Sequence, residues 1–298
     1  MKEFSHLQNS CTHKLQWSVE ERVTDILRPR WIGYDSAQTI LRRFDDIYRH
    51  PRVSRMPNVM LIGRTNNGKT ELIKKFCRKY QSDPDDLPAE GFSIPIMYMQ
   101  APPTPNEGDL YSEILSSLYE RVPSSSVAAK RKRVVDVLRM IDLKVICIDE
   151  LHNSLAGSSI KRQSLLNALK YLGNELQISF IASGTEDLLR TVSIDNQIQN
   201  RFEPILLPKW KMGKEFRQLL KTFESIIPLR EPSNLHTQAL SQKILSLSEG
   251  AIGEVSTLLN KAAIYSLRHG EEIISSSTLS KCGYIPPSDR IRDTASGI

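Results

Sequence analysis

The segment GRTNNGKTELIKKF, Gly63 to Phe76, has the spacing G-x-x-x-x-G-K-T. It follows NVMLIG, an apolar run with the composition of a buried strand, and it opens into a helical pattern, TELIKKFCRKY. A glycine-rich turn between a strand and a helix can wrap its backbone N–H groups around phosphate oxygens, and the helix N-terminus adds positive potential. In this context Lys69 is expected to reach the β- and γ-phosphates of a nucleotide and Thr70 to ligate Mg²⁺ through its hydroxyl. Gly63, Asn66, Asn67, Gly68 and Glu71 complete the expected nucleotide-binding loop.

A second motif lies about 80 residues downstream. VICIDE, 145–150, is an apolar strand pattern ending in two adjacent acids. Asp149 is expected to hold the magnesium and Glu150 to orient the attacking water, because ligands of open α/β sheets sit beyond the carboxyl ends of the strands. No N-K-x-D guanine-reading motif occurs, so ATP is the expected nucleotide.

Working outward, further short apolar runs at 94–100, 178–184 and 205–210 alternate with helical patterns. This predicts an α/β fold of the P-loop NTPase type with a mostly parallel five-stranded sheet and helices on both faces. After Trp210 the pattern is helical only. The expected organisation is an N-terminal arm or linker at 1–16, an α/β core at 17–212, a small α-helical lid at 213–270 and a loosely packed C-terminal tail at 271–298. Ser18 with Glu21 three residues later predicts a capping box for the first long helix.

The chain has 298 residues, 40% of them hydrophobic, which is enough for a sizeable core. Its four cysteines have no paired spacing, so neither a disulfide framework nor a zinc site is expected. The N-terminus lacks a secretory apolar stretch, and no apolar run is long enough to cross a bilayer, so no membrane partner is expected. The formal net charge of +6 suits a polyanionic partner. Residues 121–144 hold seven lysines and arginines against two aspartates. The densest part, AKRKR, opens a helix, where cations oppose the macrodipole. Lys130, Arg131, Lys132, Arg133 and Arg139 are therefore candidate contacts for DNA phosphates, with a solvated basic helix face as the other reading.

RWIGY, MPNVMLIGRTNNGKTELIKKF, VICIDELHNSLAGS, IASGTEDLL and NRFEPILLPKW, in this order, closely resemble the TniB and TnsC group of AAA+ ATPases of DNA transposition, the TniB branch most nearly. The resemblance spans roughly residues 17 to 268. It implies an AAA+ core with a helical lid, ATP and Mg²⁺ as cofactors, and ATP hydrolysis used as an assembly switch, which the lid sequence predicts to be slow. It further implies rings or helical filaments on duplex DNA in a bacterial cytoplasm. Such proteins link a target selector, often of the TniQ type, to a DDE transposase, and some but not all relatives work beside CRISPR effectors. By the same resemblance either Ser183 or Thr185 would sense the γ-phosphate, with Ser183 slightly preferred. Arg201 would act in trans as an arginine finger, unless it simply pairs with Glu203. Trp31 and Ile32 would pack near the adenine.

One departure stands out. Many AAA+ lids carry an arginine aimed at the γ-phosphate, whereas EGAIGEVSTLLNKAA has Gly253 and Glu254 there, with Lys261 as a substitute cation. The alternatives carried forward are an AAA+ helicase loader or replication initiator, and a nucleotide-stabilised scaffold without catalysis.

Overall fold

The structure is a computed structural model, which describes residues 4–80, 93–155, 158–193 and 200–290. These divide between two compact units, Asp35–Pro208 and Met1–Tyr34 with Lys209–Ile298.

The first unit is built on five strands: β1 (Asn58–Gly63), β2 (Ile96–Gln100), β3 (Val145–Asp149), β4 (Ser179–Gly184) and β5 (Phe202–Leu207). Their order is β2-β3-β4-β1-β5. Every pairing is parallel. β1, β3 and β4 are buried along their whole length, which is why their sequences read as unbroken apolar runs rather than alternating ones. Successive side chains leave a strand on opposite faces. Met60, Ile62, Ile146 and Ile148 enter one large core with Leu110, Tyr111 and Ile114 of helix Glu107–Ser117, Val134 and Leu138 of Val127–Met140, and Leu165, Leu169 and Leu172 of Ser159–Leu176. The opposite face is covered by helices Asp35–Arg49 and Lys69–Lys79. Phe44 and Phe76 meet edge to face between these two helices, ring centres 5.4 Å apart.

The second unit is helical. Val19–Leu27, Lys214–Ile226, Gln238–Ser248, Ile252–Arg268 and Ser276–Lys281 enclose a core that includes Phe216, Leu220, Ile244, Leu258 and Leu259. The expected capping box is formed: Ser18 Oγ accepts from Glu21 N–H, and Glu21 accepts from Ser18 N–H at 2.8 Å. Two expectations about the termini change here. Residues 4–16 are packed rather than free, because Leu7, Cys11 and Leu15 are buried, and Gln8 N–H donates to the Ser225 carbonyl at 2.9 Å. The segment after 270 is also packed as far as it is described. Ile274 and Leu279 are buried, and Ser288 N–H donates to Glu249 Oε1 at 2.7 Å. Residues 291–298 of the expected tail lie outside the described residues.

Buried Arg22 explains part of this closure, since it forms a two-pronged ion pair with Glu272, both contacts at 2.9 Å. Gly250 serves the same unit. It has φ +74°, and a Cβ there would stand 2.6 Å from the Trp210 carbonyl oxygen, so only glycine fits.

Candidate functional site

The glycine-rich loop begins where β1 ends and closes at helix Lys69–Lys79, as the motif demands. Gly68 takes φ 86°, the left-handed conformation that glycine adopts without steric cost, and directly precedes the first helical turn. Asn66 is also left-handed, with φ 58°. Asn67 is buried, and its carboxamide donates to the carbonyls of Leu207 at 2.9 Å and Pro208 at 3.1 Å. That side chain therefore ties the loop to the end of β5 and leaves only its backbone for a phosphate. Glu71 is exposed in the first helical turn, where a carboxylate favours the macrodipole.

Lys69 is 4% exposed. Its ammonium donates to the loop's own carbonyls, Gly63 and Arg64, both at 3.0 Å. Burial pulls its pKa below the ordinary lysine value, and the charges of Glu150 and Asp149 oppose that shift. The loop thus holds a partly desolvated cation in its own curve, with two carboxylates as the nearest countercharges.

Asp149 is fully buried at the carboxyl end of β3. Its Oδ2 accepts from Thr70 Oγ1 at 2.7 Å and from Tyr98 Oη at 3.0 Å. Its Oδ1 accepts from the Glu150 N–H at 3.0 Å and from the Ser183 hydroxyl. The two side chains expected to hold magnesium therefore touch. A hydroxyl and a carboxylate are hard oxygen ligands that suit Mg²⁺, which draws its remaining ligands from water and phosphate. Among the described residues no group of three His, Cys, Asp or Glu side chains could hold a metal ion. Thr70 and Asp149 form the donor set at this point.

Glu150 leaves the strand with φ 56°. A left-handed backbone at a glutamate costs about 1–2 kcal/mol. Strain of this kind concentrates at working sites. Its N–H is held by Asp149 and by Ser183 Oγ at 3.2 Å, and its carboxylate lies 3.4 Å from His152 Nε2.

The two candidate sensors differ. Ser183 is fully buried and its hydroxyl is engaged by Asp149. Thr185 Oγ1, two residues on, is buried without a hydrogen-bond partner. A buried hydroxyl left open costs about 1–3 kcal/mol unless something binds it, so Thr185 is the one with capacity for a ligand. Tyr98 was not expected here at all. Burial and the Asp149 charge both push its pKa up. It reaches Asp149 because β2 pairs with β3 in the register Gln100↔Asp149, which no local motif announces.

Arg201 lies at the other end of the sheet, just before β5, and its guanidinium donates to Asn174 Oδ1 at 3.0 Å. Glu203, which sequence reading offers as its partner, pairs with Arg43 instead. β5 runs parallel to β1 with Asn58 opposite Phe202 and Gly63 opposite Leu207. A strand length, roughly 17 Å at 3.3 Å per residue, therefore separates Arg201 from its own phosphate loop. Trp31 and Ile32 belong to the helical unit, where Ile32 is buried in the core. In the helical unit, Glu254 is also buried, accepting from Tyr284 Oη at 2.7 Å and Arg290 Nη1 at 3.0 Å. Lys261, the substitute cation, donates to the Gly283 carbonyl at 2.9 Å.

The basic cluster lies on helix Val127–Met140. Arg131 pairs with Glu107 at 3.0 Å and Arg133 with Glu120 at 2.6 Å, and Arg139 pairs with Glu175. Lys130 donates to Ser112 Oγ at 2.9 Å, and Lys132 is exposed. Three of the five cations thus carry a carboxylate already. No helix of the described residues is long and apolar enough to cross a membrane.

The α/β unit with its helical partner is an AAA+-like architecture, and solved structures share it. The Aeropyrum pernix ORC1 protein in complex with DNA has a TM-score of 0.65 at 16% identity, covering 93% of this chain and 72% of that one. The Aeropyrum pernix ORC2 protein, solved in ADPNP–ADP complexes, has a TM-score of 0.63 at 18% identity, with coverage of 86% and 70%. Cdc6p from Pyrobaculum aerophilum has a TM-score of 0.61 at 17% identity, with coverage of 86% and 69%. At such identities the likeness is one of fold. No curated protein matches the chain. The family model described as bacterial TniB protein matches residues 22–212, which include the phosphate loop, the Asp149–Glu150 pair and Arg201, and the chain belongs to that family.

Proposed function

We propose that this chain is an ATPase whose nucleotide state controls its assembly on duplex DNA, and that the assembly licenses transposition by joining a target selector to a DDE transposase. The observation that carries the assembly part is the separation of Glu150 and Arg201 at opposite ends of one parallel sheet. One chain holds a phosphate loop and a water-orienting acid, but its own Arg201 lies a strand length away from both. A head-to-tail neighbour presenting its Arg201 would complete the site, and head-to-tail contacts generate rings or filaments.

Bound MgATP would supply the phosphoanhydride to be cleaved and the cation that offsets its charge. The chain's own residues do the rest. Lys69 would turn from the carbonyls of Gly63 and Arg64 towards the phosphates, while Thr70 and Asp149 take the metal. Thr185 would donate its unengaged hydroxyl to the terminal phosphate. Glu150, released from His152, would accept the proton of the attacking water. Arg201 of the neighbour would stabilise charge in the transition state. The stretch EGAIGEVSTLLNKAA offers no arginine to the γ-phosphate, and its Glu254 and Lys261 are engaged within the helical unit. This suits slow turnover and a long-lived assembled state.

The transposition part rests on the family. A second reading, a loader or initiator of replication, is favoured by the ORC and Cdc6 folds and by the DNA complex of one of them. Analytical ultracentrifugation tests the shared core of both. Large species that need both ATP with Mg²⁺ and duplex DNA are expected, and a monomer in every condition would refute the assembly switch. Co-sedimentation then separates the readings: a DDE transposase joins the assembly in the first, a replicative helicase in the second.

A further inference from the structure

At the amino ends of β1, β3 and β4, on the side of the sheet away from the phosphate loop, a cavity of about 450 Å³ opens. That size is typical of ligand sites. Its walls come from three places in the chain: the end of helix Asp35–Arg49 and the loop to β1, the turn before β3, and Gln177 before β4. Asp142 and Gln177, both in left-handed backbone conformations (φ 49° and 51°), turn the chain into β3 and β4 at its rim.

The charge of this cavity is one-sided. Arg49, Arg52 and Lys144 line it together with His50, and Asp142 is the only carboxylate among the lining residues. Asp142 is taken by Arg52 at 2.6 Å. Among the described residues no carboxylate pairs with Arg49 or Lys144. The contrast with helix Val127–Met140 is direct, since there each arginine of the cluster has its acid. Exposed cations gathered without countercharge repel one another, and a polyanion relieves that repulsion.

We infer that this cavity binds backbone phosphates of duplex DNA. The inference rests on the DNA-binding reading above and moves the main phosphate contacts from the basic helix to the amino end of the sheet. A duplex rather than unstacked bases follows from Tyr48, the one Tyr, Phe or Trp among the lining residues. Tyr80 packs on its ring at 3.9 Å between centres, and the Lys144 ammonium lies over it at 5.3 Å. A ring covered in this way offers no platform for a base, whereas single-strand binding depends on such platforms. What remains to be offered is positive charge, which reads the backbone without base preference.

The test is fluorescence anisotropy of the full chain with a short labelled duplex across a salt series, in the presence of a non-hydrolysable ATP analogue and Mg²⁺. Double replacement Arg49→Ala with Lys144→Ala is expected to weaken binding at least about tenfold and to flatten the log–log salt slope by about 2. Arg133→Ala with Arg139→Ala should leave the slope unchanged. Affinity for a fluorescent ATP analogue should stay at the wild-type value in both, since the cavity is a strand length from the phosphate loop. If the double variant does not fold, Arg49→Gln alone should lower the slope by about 1, and Arg49→Lys should restore it. An unchanged slope in a chain that still binds duplex would overturn the cavity assignment and leave the DNA reading standing. Failure of the wild-type chain to bind duplex would overturn both. Equal loss of single-strand and duplex binding in the variant would overturn the choice of duplex.

Discussion

The two ends of the five-stranded sheet are built by different means. At the carboxyl end, local sequence does the work: a loop of six residues and two adjacent acids bring Lys69, Thr70, Asp149 and Glu150 together. At the amino end nothing local does. Arg201, Asn58 and the cavity around Lys144 meet only through strand register and order. One end is a site assembled within a chain, and the other is a surface that acquires meaning against something else. On the proposed function, the two ends are halves of one reaction carried by successive copies.

The largest expected effect tests that directly. Arg201→Ala should lower DNA-stimulated ATP turnover by about 10³-fold or more, the range for arginine fingers, with nucleotide affinity retained. Glu150→Gln should lower it by about 10²–10⁴-fold, the range for a lost general base. Mixing the two inactive variants is the sharper measurement. An Arg201→Ala subunit keeps Glu150, and a Glu150→Gln neighbour keeps Arg201, so some interfaces in the mixture are intact. Phosphate release should recover to a measurable fraction of wild type. No recovery in mixed assemblies of normal size would break the picture of complementary ends.

Lys69→Ala comes next and touches one end only. A charge-assisted contact contributes about 1.5–3 kcal/mol, so nucleotide affinity should fall about 10- to 100-fold, measured by titration with a fluorescent ATP analogue. The fold should tolerate the change, because removing the ammonium also removes a desolvated charge. A melting temperature at or above that of the wild-type apo protein is expected.

The difference between the ends also decides what the sequence could disclose. The parallel sheet, the phosphate loop and the acidic strand end were legible because each is written in one continuous segment. β4 beside β1 was not, since its pairing partner lies more than a hundred residues away. Tyr98 joins the Asp149 network through register alone. The resemblance slightly preferred Ser183 over Thr185, and only the geometry distinguishes the engaged hydroxyl of Ser183 from the open one of Thr185. The basic run at 130–133 looked like a polyanion site because its charges are consecutive. Two of the acids that answer it, Glu107 and Glu120, lie on the preceding segment. The cavity went unnoticed for the converse reason, as Lys144 lies nearly a hundred positions from Arg49 and Arg52. Consecutive charge is visible in sequence and uncompensated charge is not.

Asn58 offers a test of how the amino end is held. It is buried at the start of β1. Its carboxamide accepts from the Phe180 N–H of β4 at 2.8 Å and donates to the Arg201 carbonyl at 3.1 Å. One side chain thus pins three strand starts and the backbone of Arg201. Asn58→Ala leaves two backbone groups short of a partner and should cost about 1–3 kcal/mol in urea unfolding. Turnover should fall while affinity for the ATP analogue holds, because the disturbance is at the far end from the loop. Equal losses in both would mean that the two ends are coupled through the sheet and do not act separately.

The smallest effect is expected where the sequence pointed most loudly. Arg139 and Glu175 form an exposed pair, with side chains 55% and 39% accessible. Such pairs contribute about 0.2–1 kcal/mol. Arg139→Ala should therefore shift the unfolding midpoint only slightly. It should also leave duplex affinity within about twofold, since the cation it removes was already neutralised and its loss releases few counterions from DNA. The matching charge removal at Arg49 acts on a cation with no carboxylate partner among the described residues and should be felt in the salt slope. A large effect at Arg139 with none at Arg49 would reverse the assignment: the ion pairs of the basic helix would then open on DNA, and its cations rather than those at the sheet's amino end would carry the phosphate contacts.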